Sequence, residues 1–355
     1  MFYYQYELGK ASSILTRELF KLKAGETFVI TADTESDPRV VDATASAAFA
    51  IGAKPMVIWL ASPLGVGKAA DPMLPVAALT AVLKEADAWV EFNNQWLYYS
   101  TPCDIAMKEN KKLRHMCLVG MNVGMMVRCI GRIDYPLLKE FTERIKDISE
   151  KAKHIRMTTP AGGDLEFDNA KTEDGKPDPT YPFKIDLGYA DVPGSHMMAG
   201  QIGWSPDPET INGTLVFDGS LVPPCGKLEE PVRLTIKAGE VIKVEGGNQA
   251  IEFEIWMKSF NHPRMLKLAH TGYGFNPGAK LTGDILEDER IWGATEWGIG
   301  NVGSTTIKPD GILAPSHTDG ICLNTSVWLD GKQIMEKGKV LEPGLIKLAK
   351  KLGKA

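Results

Sequence analysis

The sequence predicts an amino-terminal α/β domain with a parallel sheet (residues 1–153), followed by a mostly antiparallel α+β domain (154–355). Three observations predict this. Short apolar runs alternate with helical stretches over the first part of the chain, as in successive βαβ units. From about residue 154 the texture changes to short alternating strands joined by Gly turns. A chain of 355 residues is also long enough for two domains that each bury a core.

In order, FVITAD (28–33), PMVIWL (55–60), AWVEF (88–92) and HMCLVG (115–120) read as the strands of the first domain, with Met73 to Ala86 as its clearest helix. The longest apolar run, CLVGMNVGMMV (117–127), is about half of a membrane span and reads as a buried strand with its exit loop. Between Tyr135 and Ala152, Leu137, Leu138, Phe141, Ile145, Ile148 and Ala152 form one stripe with Lys and Glu opposite. That helix is expected to close the first domain. Residues 159–168 and 175–182 read as loops, 233–247 and 326–340 as hairpins, the latter around Asp330-Gly331, and Gln249 to Phe260 as a helix.

The net charge of −5 and the scattered basic residues exclude the basic stripe that nucleic-acid binding requires. No secretory signal is read at the start of the chain. Five cysteines, none at two-residue spacing, fit buried thiols in a reducing, cytoplasmic compartment. PLGVGKAA (63–70) lacks the spacing of a phosphate-binding loop, while GFNPG (274–278) and GIGNVG (298–303) read as turns between strands and lack the strand-to-helix context of a dinucleotide site.

Four of the six histidines, His196, His262, His270 and His317, fall in the second half. Three lie in Gly-rich segments: GSHMMAGQ, AHTGYG and APSHTDG. On a strand, His317 and Asp319 point to the same face. With His270 from another strand they make two imidazoles and one carboxylate, a facial set that leaves cis positions open on Fe(II) for substrate and O₂. A His-x-acid pair arises about once by chance at this composition, so the spacing leaves open a purely structural pair.

The run AHTGYGFNPGAKLTGDILEDERIWGATEWGIGNVG, then APSHTDG and VWLDGKQIMEKGKVLEP, resembles the carboxy-terminal part of the thermophilic aminopeptidase family (aminopeptidase T type). GYADVPGSHMMAGQIGWSPDPETINGTLVFDG resembles that family's earlier metal-bearing segment. The resemblance covers most of residues 155–345. It implies the aminopeptidase T-like fold and a homo-oligomer. A two-metal peptidase site depends on a water shared by two cations, and here Gln201 stands at the first glutamate position, His270 at the second and Glu296 at the first histidine.

These departures resemble the 2,5-dihydroxypyridine 5,6-dioxygenase branch of the same superfamily. That resemblance implies one Fe(II) held by His270, His317 and Asp319, and an N-heteroaromatic substrate opened with O₂. It also implies substrate hydrogen bonding or proton transfer for His196, whose alternative is a structural histidine. Where the branch has a further histidine, this chain has Tyr98 and Tyr99, candidates for proton handling with plain packing as the alternative. Gln201, Glu296 and Ser304 complete the candidate substrate contacts, Glu296 also as a carboxylate orienting a ligand. The rivals are a metallo-aminopeptidase and an inactive metal- or small-molecule-binding relative.

Overall fold

The computed structural model describes residues 4–354. The chain forms two compact units, residues 1–133 with 186–199, and residues 134–185 with 200–355. The division differs from the expected 153/154 boundary in two ways, and each has a physical reason. The helix Tyr135–Lys151 packs into the second unit, where Phe141 meets Phe275 and Trp292 at ring separations of 4.9 and 4.8 Å. Its Arg144 also grips Glu342 through two hydrogen bonds. In the other direction, Gly194–Met197 pairs in parallel with Arg114–Cys117 and so joins the first unit's sheet, taking His196 with it.

That sheet has five parallel strands in the order Lys54–Leu60, Thr27–Asp33, Ala88–Glu91, Arg114–Cys117 and Gly194–Met197. Four of them are the strands expected from the apolar runs. The fourth ends earlier than expected, at Cys117, where the chain turns through Gly120 at φ 63°. Residues beyond it are not all loop: the Asn122 side chain accepts the Met125 N–H and starts the buried helix Val123–Cys129, an N-cap that the apolar run conceals. The expected helix from Met73 begins at Val76, after a 3₁₀ turn at Gly67–Met73 that carries the Lys68 region.

The second unit has an eight-stranded and a seven-stranded sheet whose inner faces share one core. Phe167 from the first sheet meets Trp297 from the second edge-on at 5.2 Å. Residues 159–168, expected as loop, contain a turn and then the strand Asp164–Asp168, which pairs with His154–Thr158 and Asn212–Phe217. Alternation of Leu165 and Phe167 into the core stabilises that strand despite its Gly-rich approach. Both expected hairpins form. In each the two turn residues have positive φ, Ala238 and Gly239 in one and Asp330 and Gly331 in the other, matching the twist of the flanking strands.

Among the described residues no helix is long and apolar enough to cross a membrane. Among the described residues no disulfide forms; Cys225 is half-buried and the other four cysteines are buried.

Candidate metal centre

Three neighbouring strands of the seven-stranded sheet build the site: Leu268–Gly274, Thr295–Val302 and Ile312–Cys322. His270 stands on the first, Glu296 on the middle one, and His317 with Asp319 on the third. In register, His270 and Asp319 flank Gly298 from opposite sides, and Gly300 faces His317. A Cβ at Gly298 would collide with the His270 imidazole, so glycine is what lets the ring lie across the middle strand toward its partners. The GIGNVG run, expected as a turn, is therefore mostly strand, and its first glycine is the floor of the site.

The donor atoms converge closely. His270 Nε2 and His317 Nε2 are 3.1 Å apart, His317 Nε2 and Asp319 Oδ1 3.0 Å, and His270 Nε2 and Asp319 Oδ1 3.3 Å. A cation bonded at about 2.1 Å to three donors at right angles separates those donors by about 3.0 Å. The triangle thus fits one divalent ion with the donors on a single face, and two neutral imidazoles with a carboxylate suit a first-row transition metal. Among the described residues, His270, His317 and Asp319 form one metal-capable group, and Glu289, Glu296 and Asp319 form another that shares Asp319.

The surrounding groups favour positive charge here. Burial pushes the His270 imidazole down, but Glu296 facing its Nδ1 at 3.6 Å, with Asp319 beyond, outweighs burial and raises it to about 9. Burial pushes the Asp319 carboxyl up, whereas the adjacent His317 and then His270 bring it below its ordinary value. A site that holds a proton this firmly in the absence of a metal offers a cation the same negative surroundings. Gln201, on the strand Gln201–Trp204, donates from Nε2 to Glu296 Oε1 at 2.8 Å, while Glu296 Oε2 is buried without a hydrogen bond.

The structure therefore brings together five of the residues singled out in the sequence: His270, His317, Asp319, Glu296 and Gln201. Gln201 and Glu296 bond to each other. Ser304 and Thr305 lie exposed in the turn after Thr295–Val302. Gly298, read in the sequence as part of a turn, owes its role to cross-strand register between His270 and Asp319.

His196, Tyr98 and Tyr99 belong to the first unit. His196 Nε2 is 2.9 Å from the Val192 carbonyl. Burial lowers the His196 pKa, with the carbonyl acting in the opposite direction, so the ring is neutral near pH 7. Donating from Nε2 to that carbonyl leaves Nδ1 as the proton acceptor. Tyr98 packs on the first unit's core, 5.9 Å from the His115 ring and 3.9 Å from Tyr99, and burial pushes its phenol up. Tyr99 has φ 69°, a left-handed conformation uncommon for a bulky residue. Beneath this loop lies a buried group absent from the sequence reading. Glu91 accepts the Leu97 N–H at 2.8 Å, and His115, stacked on Trp89, meets Ser195 Oγ at 2.9 Å.

Taken together, the two-unit fold and the single-face donor triangle define a class: an aminopeptidase T-like scaffold with a centre suited to one metal ion. At the level of fold, the chain is similar to wild-type AmpT from Thermus thermophilus, with 13% identity, a TM-score of 0.69, and coverage of 96% of this chain and 100% of that one. Residues 15–342 match the 2,5-dihydroxypyridine 5,6-dioxygenase family, and the chain belongs to that family of ring-cleaving oxidoreductases. It is 25% identical over 327 residues to a 2,5-dihydroxypyridine 5,6-dioxygenase of Pseudomonas putida, covering 87% of this chain and 89% of the relative. The structure of 2,5-dihydroxypyridine dioxygenase from Pseudomonas putida KT2440 superposes with a TM-score of 0.75 at 20% identity, covering 96% and 99%. Family membership, which implies a metal cofactor, decides for a dioxygenase over a peptidase. The fold by itself does not separate the two.

Proposed function

We propose that this chain opens a hydroxylated N-heteroaromatic ring such as 2,5-dihydroxypyridine with O₂, using one Fe(II) held by His270, His317 and Asp319. The observation that carries the reading is the donor triangle with edges of 3.0 to 3.3 Å in a chain of this family. Bound there, Fe(II) would supply the redox chemistry that lets a ring hydroxyl and O₂ react side by side.

The protein's own groups manage geometry and protons. Glu296 faces His270 Nδ1, which fixes the tautomer that leaves Nε2 as a donor. Asp319, held ionised, contributes the negative charge that makes the set selective for a cation. His196, neutral with Nδ1 as acceptor, is suited to take the proton of a substrate hydroxyl. Of the two tyrosines, Tyr99 is the better candidate for proton handling, because the buried Tyr98 phenol resists ionisation. Ser304 is left as a candidate hydrogen-bonding group from its exposed turn.

The test is anaerobic reconstitution with Fe(II), followed by oxygen uptake and loss of ring absorbance over a panel of hydroxypyridines. One equivalent of O₂ consumed per ring opened, abolished together with iron binding in His317→Ala, is the expected result. Two metals per chain with amino-acid release from a peptide would overturn it.

A further inference from the structure

The group Glu289, Glu296 and Asp319 adjoins the donor triangle and shares Asp319 with it, yet its carboxylates already have protein partners. Arg290, fully buried, bonds to Glu289 Oε2 at 2.9 Å and to the Leu286 carbonyl at 2.8 Å, and its positive charge also acts on Asp319. Gln201, itself buried, holds Glu296 Oε1. The other Glu296 oxygen is buried and unpartnered. The Arg290 guanidinium thus bonds to Glu289 and acts on Asp319, and on the reading above one divalent ion shares Asp319 with it. Buried charge left without a counter-charge is strongly disfavoured.

At position 201 a neutral amide donates to Glu296. A carboxylate there would sit at hydrogen-bond distance from Glu296 with no donor between them. The two would then have to share a proton or recruit a second cation. Glu289, Glu296 and Asp319 each bring a carboxylate oxygen within 4.8 Å of the others, close enough for that cation.

We propose that Gln201 is the residue that sets the number of metal ions: its neutral amide holds Glu296 by hydrogen bonding, so the centre takes one divalent ion, and a carboxylate at this position would admit a second between Glu289, Glu296 and Asp319. The proposal rests on the reading that the first triangle binds one divalent ion. Gln201 is a positioning residue, acting through Glu296.

The experiment is a calorimetric titration of metal-free full-length protein with Mn²⁺, with electron paramagnetic resonance of the loaded samples. Wild type is expected to take one ion per chain and show the spectrum of an isolated Mn²⁺. Gln201→Glu is expected to take two and show an exchange-coupled spectrum. Gln201→Leu, which removes the donor without adding charge, is expected to keep one ion with affinity reduced about tenfold. Adding Glu296→Gln to Gln201→Glu should return the count to one. If Gln201→Glu does not fold, Gln201→Asp carries the same charge in less volume and is read in the same way. One ion in the folded acidic variant, or two in Gln201→Leu, overturns the proposal while leaving the single-ion reading intact. No ion in wild type overturns that reading itself.

Discussion

Gly298→Ala is the sharpest perturbation of the centre, because it adds one carbon and no charge. The new Cβ would point at His270 Nε2 from the middle strand, about 1 Å inside van der Waals contact with the imidazole. The neighbouring backbone is fixed by pairing on both sides, so the ring has to give way. Swinging it by about 1 Å opens the 3.1 and 3.3 Å edges toward 4 Å, beyond what a metal–nitrogen bond of about 2.1 Å allows. Relief of the overlap costs about 1–3 kcal/mol of folding stability. Losing one of three donors costs the metal site more than losing an outer partner, so affinity should fall by at least about 100-fold. Calorimetry with Mn²⁺ reads the affinity, and urea unfolding of the metal-free protein reads the stability separately. Wild-type affinity in Gly298→Ala would refute the idea that this glycine is a vacancy kept for the imidazole.

Three further outcomes follow from the same geometry. Glu296→Gln keeps the shape but removes the charge facing His270 Nδ1, so metal affinity should fall about 10- to 100-fold in calorimetry while the fold, read by circular dichroism, is retained. Tyr98→Phe should leave the pH profile of oxygen uptake unchanged, since its buried phenol does not ionise in the working range, whereas His196→Asn should flatten the acidic limb of that profile. Glu342, hydrogen-bonded by Arg144, has its pKa lowered from 4.5 to about 2. Its folded value lies below its unfolded one, so its contribution is complete above about pH 4.5 and is lost as pH falls through 2. Because the Arg144 side chain is 48% exposed, solvent screens the pair and that contribution is small. Urea unfolding should show Glu342→Gln less stable than wild type at pH 7, with the two curves converging near pH 2.

Much of this protein is legible in local chemistry. The apolar runs that mark four parallel strands need only a period and a length, and the Asp330-Gly331 turn needs only the preference for positive φ. His317 and Asp319 share a face because a strand alternates, whatever it pairs with. Errors arose where local and distant signals diverge. Asp164–Asp168 was hidden by the glycines before it, and Val123–Cys129 by an apolar run whose N-cap lies inside it.

The amino-acid order by itself determined the element types, the turn chemistry and the pairing of one imidazole with one carboxylate on a strand, since each depends on residues a few positions apart. Only the tertiary structure decided that Gly194–Met197 returns to the first sheet, that Tyr135–Lys151 packs in the second unit, and that Gly298 lies between His270 and Asp319. Those outcomes rest on strand register and core packing between segments tens of residues apart, where the free energy belongs to the pair of surfaces and to neither segment on its own.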